Sequence, residues 1–120
     1  MATTIPKTTL DLRSEITSDR QLVLSLVNAD LPLPESDEII VRVEAAPINP
    51  SDMGLLFGAA DMANATQSGS SERPVVNADV PERFMGAMAR RIDQSLTVGN
   101  EGSGVVIRSE EHTSELQSLG

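Results

Sequence analysis

The polar residues able to do chemistry in this chain are few, and they sit at the ends of apolar runs. Asn49, Ser51 and Asp52 fall in Asn49-Pro50-Ser51-Asp52, while Asn100 and Glu101 fall in Gly99-Asn100-Glu101-Gly102. An amide donates and accepts hydrogen bonds, a hydroxyl does the same, and a carboxylate can fix either in place. Such a set suits the holding of a polar small molecule, and segment ends are where a rigid scaffold carries functional groups. A plainer role stays open for each residue. Asn49 and Asp52 suit the capping of a helix, Ser51 an exposed helical position, and Glu101 a solvated turn. Amides are poor zinc ligands beside a thiolate or an imidazole. The chain has no cysteine and a single histidine, His112, so neither a thiolate zinc site nor a disulfide framework can be built from it. No metal is expected.

The glycines Gly99, Gly102 and Gly104 invite a second chemistry, the cradling of a pyrophosphate. That fingerprint needs a strand before the glycines and a helix after them, so that the helix amino end faces the phosphates. Here the β-branched run Val105-Val106-Ile107 follows. The glycines are therefore read as a tight turn and a close approach at the start of a strand.

Composition narrows the partners. With a formal charge of −9, two Phe, no Tyr and no Trp, the chain lacks both the basic face that releases counterions and the aromatic platforms that stack bases, which excludes a nucleic-acid binder. No apolar run approaches membrane-spanning length, and the start Met1-Ala2-Thr3-Thr4-Ile5-Pro6-Lys7 lacks the apolar stretch of a secretory signal. A soluble cytoplasmic protein is the expectation. Its 120 residues, 39% of them hydrophobic, suffice for one small domain with a core.

Several elements must position these residues. Between Thr8 and Ile16, Leu10, Leu12 and Ser14 alternate with Asp11, Arg13 and Glu15, and Leu22, Leu24 and Leu26 alternate with Val23, Ser25 and Val27. Two half-buried strands follow from that period, joined in antiparallel fashion by the turn Thr17-Ser18-Asp19-Arg20. After the Pro-punctuated Leu31 to Ser36, the run from Glu38 to Ala46 is the strongest strand, and Pro47 ends it. Asn49 as cap, Pro50 at the first helical position, Asp52 in the first turn and Gly58 beyond the end predict one short helix. From Ala59 to Asn77 the Ala, Ser, Gly, Asn and Thr content predicts a surface insertion, most flexible at Gln67-Ser68-Gly69-Ser70-Ser71. Asp79 with Glu82 resembles a capping box, and Phe84, Met88 and Ile92 share one helical face, which predicts a second helix from Val80 to Asp93. The sum is a mainly β fold with short helices.

The tail reads differently. Arg108-Ser109-Glu110-Glu111-His112-Thr113-Ser114-Glu115-Leu116-Gln117-Ser118 resembles, residue for residue, one reading frame of a common DNA sequencing adapter. On that reading residues 1–107 are the authentic protein and residues 108–120 an adapter-derived tail, which takes the only histidine with it. The tail has Thr113 as its one β-branched residue and no alternating apolar face, so it is not expected to supply a strand.

Taken together, Val43-Glu44-Ala45-Ala46-Pro47-Ile48-Asn49-Pro50-Ser51-Asp52, a short helix ending at Gly58, and Gly99-Asn100-Glu101-Gly102-Ser103-Gly104-Val105-Val106 resemble the amino-terminal GroES-like domain of the medium-chain dehydrogenase/reductases. The resemblance covers Thr8 to Ile107 and is weakest from Ala59 to Ser95. In the zinc alcohol dehydrogenases the first motif reads cysteine, any residue, serine or threonine, aspartate, and the second reads glycine, histidine, glutamate, glycine. On this chain the cysteine position is Asn49 and the histidine position is Asn100, while Ser51, Asp52 and Glu101 match. The pattern is closest to the zinc-free quinone oxidoreductases and enoyl thioester reductases of that family.

What the resemblance implies is a truncated, partial GroES-like β-barrel (α+β), its Rossmann domain absent. Its parent would be an NAD(P)H-dependent, zinc-independent oxidoreductase, homodimeric, that moves hydride to an activated C=C or C=O of a small-molecule substrate. NADP or NAD would carry the hydride chemistry and the protein would supply position and electrostatics. Asn49 and Asn100 would then contact the cofactor, Ser51 and Asn49 would act at the reacting centre, and Asp52 and Glu101 would support them. In the enoyl reductases a tyrosine of this domain donates the proton, and this chain has none, so the thioester reading ranks lower. A stand-alone GroES-like binding module is the rival from another class, and a functionless product of adapter read-through is the third. The fragment alone is expected to be inactive.

Overall fold

The computed structural model describes residues 5–109 and 116–119. In it, β1 (Thr8–Ile16) and β2 (Gln21–Asp30) are neighbours in one sheet. Their turn is the one the sequence predicts. The Thr17 N–H donates to the Gln21 carbonyl at 2.8 Å and the Arg20 N–H to the Thr17 carbonyl at 3.1 Å, with Arg20 at a φ of 63°, the left-handed conformation that closes a tight hairpin. The alternation expected along β1 holds only at its end, where Ser14 and Ile16 are fully buried beside half-buried Arg13 and Glu15. Leu10 and Leu12 are exposed, at 48% and 40%, while Asp11 and Arg13 beside them are half-buried, so the strand enters the core only at its end.

β3 (Ile39–Ala45) ends before Pro47, and α1 (Pro50–Phe57) follows with Asn49 as its cap and Gly58 after its end. Downstream, two expectations fail. The stretch from Ala59 to Asn77 lies at the surface, with no buried residue, but it is not irregular. It holds a 3-10 turn (Met62–Asn64), β4 (Thr66–Gly69) and most of β5 (Pro74–Asp79). β4 pairs with β5, and β5 pairs with β2, Leu22 opposite Ala78 and Leu24 opposite Val76. Composition misled here because ladder hydrogen bonds are made by the backbone, which Ser, Gly and Asn supply as well as any residue. Gly69, at a φ of 78°, lies so close to the Arg73 carbonyl that the hairpin requires its lack of a side chain.

The second correction concerns the helix predicted from Val80 to Asp93. α2 spans only Glu82–Met85, with Pro81 as its cap, and a 3-10 turn (Ala89–Arg91) follows. Asp79 does not cap it. Its carbonyl accepts from the Asp61 N–H at 2.8 Å and its carboxylate accepts from Gln21, both as part of β5. Phe84 sits at the edge of exposure at 36%, while Met88 and Ile92 still reach the core. Apolar spacing marked which side chains are inside without specifying a continuous helix to carry them.

β6 (Leu96–Thr97) pairs with β1, completing a five-stranded sheet in the order β4-β5-β2-β1-β6. β7 (Gly102–Ser109) pairs antiparallel with β3 on one side and with β8 (Leu116–Leu119) on the other. The strand β8 corrects the expectation that the tail supplies none. A free strand edge can be paired by any backbone in register, with no alternating apolar face required. β7 itself runs past Ile107 to Ser109, and His112 lies outside the described residues. Neither sheet closes on itself among the described residues, so the architecture is mainly β with open sheets and short helices. No helix among these residues is long and apolar enough to cross a membrane.

The chain divides into two units. The first comprises Met1–Thr9, Ala29–Ile48 and Gly99–Gly120, and the second Leu10–Asn28 and Asn49–Val98. The core of the second is Ile16, Leu22, Ala78 and Val80, with Leu24, Phe57, Met62, Met85, Met88 and Ile92 packed against it. In the first, Ile40, Val106 and Ile107 are buried.

Candidate functional site

The amino end of α1 is built from Asn49-Pro50-Ser51-Asp52. Pro50 presets the first helical φ and lacks an N–H that would otherwise go unsatisfied. Asn49 is in extended conformation, with φ −91° and ψ 155°, and half-buried. The Asp52 carboxylate reaches back to accept from the Asn49 N–H at 2.8 Å, and the Asp52 N–H donates to the Asn49 backbone carbonyl at 2.9 Å. The four residues form a capping box, with the Asn49 side chain toward the Asp52 N–H and the Asp52 carboxylate on the Asn49 N–H. The two side chains thus serve different donors, the carboxylate at the third helical position fixing the backbone of Asn49 itself. Asp52 is buried, at 8% exposure, whereas Ser51 is exposed. A carboxylate in the first turn also complements the positive end of the helix dipole.

The other end of α1 is held by residues that the sequence did not single out. Ser14 is fully buried, and its hydroxyl donates to the Leu56 carbonyl at 2.9 Å. The same oxygen accepts from Arg91 Nη2 at 2.9 Å, while Arg91 Nη1 reaches the Gly54 carbonyl at 3.5 Å. The Leu56 carbonyl of the last turn, which a helix leaves without an internal partner, is met by Ser14 in this way, and Arg91 adds a second donor to the Gly54 carbonyl. Burial holds the Arg91 guanidinium below its ordinary value, because desolvation disfavours the charged form. Gly58, with φ 56°, donates its N–H to the Gly54 carbonyl at 2.9 Å. A Cβ there would sit 3.2 Å from Met88 Sδ and 3.3 Å from Ile16 Cδ1. Both the backbone angle and the packing therefore ask for glycine. The only sequence signal for Ser14 was a hydroxyl on the apolar face of β1. Arg91 carried none, since a broken helix replaced the one it was read into.

Asn100 and Glu101 occupy the loop that enters β7, and both are exposed. Gly99 takes a φ of 92°. The loop runs into a strand as expected, and Gly104 is the position that demands glycine, since a Cβ there would run into the Arg42 backbone of β3. The structure therefore groups Asn49, Ser51 and Asp52 on one helical turn in the second unit, and Asn100 with Glu101 in one loop of the first. Of the five, only Asp52 is buried, and only it has a defined supporting bond.

What the first turn of α1 can do chemically is present a half-buried amide and an exposed hydroxyl as hydrogen-bonding groups on a backbone fixed by Asp52. Amides at Asn49 and Asn100 offer no strong metal ligand. No protein-family model matches this chain, and no curated protein matches it.

Proposed function

We propose that this chain is the GroES-like amino-terminal part of a zinc-independent, NAD(P)H-dependent oxidoreductase, and that residues 108–120 are adapter-derived. The observation that carries the reading is the Asn49 to Asp52 turn. Its amide is half-buried, its side-chain oxygen lies toward the Asp52 N–H in a capping box, and a buried carboxylate holds the backbone that bears it. The mainly β architecture and the glycine turn entering β7 are in keeping with it.

A dinucleotide fits these residues in part. The glycine loop leads to a strand, so the described residues build no pyrophosphate cradle, and the phosphates would be held by a separate nucleotide-binding domain. The nicotinamide, when bound there, supplies the hydride. This chain's share is to orient: the Asn49 amide and the Ser51 hydroxyl by hydrogen bonds to substrate or nicotinamide, Asn100 in a secondary contact, Asp52 and Glu101 as supports. A small-molecule substrate with an activated C=C or C=O, a homodimeric parent and a cytoplasmic setting complete the proposal.

Sequencing the transcript across the Ile107 codon tests it. A reading frame that continues into a strand, a glycine loop and a helix supports the enzyme, whereas a stop beside Ile107 favours the stand-alone module. In the extended protein, Asn49→Asp keeps a capping oxygen, so stability should move by less than ~0.5 kcal/mol. The added charge should raise KM or lower kcat. Unchanged kinetics would reduce Asn49 to a structural residue.

A further inference from the structure

We propose that the outer edge of β7 is an acceptor for an extended peptide strand with large apolar side chains at alternate positions and a basic residue after them, and that β8 fills this edge in cis. The two sides of the sheet β3-β7-β8 are protected differently. β3 carries Arg42 and Glu44, and its register against β7 shifts at Ile40/Val41 and at Val43/Ala45. Charges and bulges keep an edge strand from pairing further. The side of β7 that faces β8 has neither. Gly102, Ser103, Gly104 and Val105 carry no charge, and they pair with Leu119, Ser118, Gln117 and Leu116 in turn, with no shift of register. An uncharged, regular edge is a template that the backbone of an extended segment can complete.

β8 demonstrates the mode. Leu116-Gln117-Ser118-Leu119 has no β-branched or aromatic residue and so little strand preference of its own. Its strand conformation comes from the ladder, and a segment held by backbone bonds can be exchanged for one that makes the same bonds and adds side-chain contacts. The glycines set the chemistry of that better occupant. Alternate strand positions share a face, so the face of β7 that bears Gly102 and Gly104 offers no side chain there. Residues opposite them can lay large side chains across the bare backbone. Packing against β3 accounts for Gly104, whose Cβ would run into the Arg42 backbone, but not for Gly102, where a Cβ would meet Val43 Cγ1 at 3.4 Å, an ordinary contact. One residue further along the same register, the partner would stand opposite the exposed Glu101, where a cation makes an unlike pair. The inference does not rest on the proposed enzymatic role, and either can fail without the other.

Titrating the 120-residue chain with the peptide Thr-Phe-Thr-Phe-Lys, read by the backbone amide resonances, tests it. The double variant Gln117→Pro/Ser118→Pro removes two adjacent N–H groups of β8, one of which points at β7 whichever way the strand faces. Circular dichroism checks that the rest stays folded. In this variant the peptide should shift the Gly102 to Val105 amides with a Kd on the order of 1 mM, and in the wild type, where β8 competes at a comparable effective concentration, the same shifts should need severalfold more peptide. Alanine in place of both phenylalanines should weaken binding about tenfold, and glutamate in place of the lysine about threefold. The wild-type titration reads the same peptide order without depending on the variant's folding. Shifts confined to another strand, equal affinity in wild type and folded variant, no binding to either, or indifference to the phenylalanines and the lysine would each overturn the proposal.

Discussion

The two units use strands in different ways. In the second, one face of a five-stranded sheet meets α1, α2 and the two 3-10 turns, and Ile16, Leu22, Ala78 and Val80 become inaccessible between them. In the first, the three-stranded sheet buries Ile40, Val106 and Ile107 but leaves Ile39 and Val43 at 40% and 60% exposure. A sheet alone is one layer, and a core needs a second layer laid on it. The difference teaches that β-branched content, highest in β3, does not by itself locate the core. Irregular segments poor in β formers supply the cover instead: Met62, Met85, Met88 and Ile92 all lie in turns, short helices or their flanks. Methionine's unbranched, flexible side chain suits such gap filling.

The largest effect is expected where the contrast is sharpest. Leu22→Ala removes a fully buried side chain from the centre of the second unit and should cost about 2–5 kcal/mol in urea unfolding. Val43→Ala, on the exposed strand of the first, should stay within ~0.5 kcal/mol. Equal losses would show that β3 has a covering layer after all.

An intermediate effect tests whether the first unit is tight between its strands although thinly covered. Gly104→Ala places a methyl against the Arg42 backbone and should cost about 1–3 kcal/mol. Amide exchange should be fastest along β3 and β7, with wild-type exchange there sinking the idea.

The smallest of the three sharpens the picture of α1 as a helix held at both ends. Ser14→Ala leaves the Leu56 carbonyl and Arg91 Nη2 without their partner and should cost about 1 kcal/mol. The loss should be the same at about pH 5 and about pH 8. Arg91 is a base whose folded value is lowered by desolvation. At any pH below that value it is charged in both the folded and unfolded states, so its burial cost is constant. Stability gains from it only as pH rises from the folded value towards the unfolded one, in the strongly alkaline range. A loss that changes between the two measurements would place a different titrating group beside Ser14.

Sequence periodicity and end signals located β1, β2, β3, β7 and α1, because each is written in local terms: alternation, β-branching, or a cap, a proline and a closing glycine. The same signals picked out Asn49 and Asp52 at the amino end of a helix, and Gly99, Gly102 and Gly104 together as a tight turn and close approach. They could not show that Asp52 is buried while Ser51 beside it is exposed, since only the packed helix decides which face is covered. β4 and β5 were hidden because Thr66-Gln67-Ser68-Gly69 gains its strand character from pairing with β5, which in turn depends on β2, far away in sequence. The helix ending at Asp93 failed for the complementary reason. Asp79 had two roles open to it, and the ladder of β5 took it. Ser14 and Arg91, distant in sequence, became a unit only when α1 was laid between them. The sequence by itself determined the local elements and the chemistry of the first turn of α1, since those follow from neighbouring residues. Tertiary structure decided which sheet each strand joins, which apolar residues are covered and which polar groups meet, since these depend on free energies of contact between segments that carry no mark of one another.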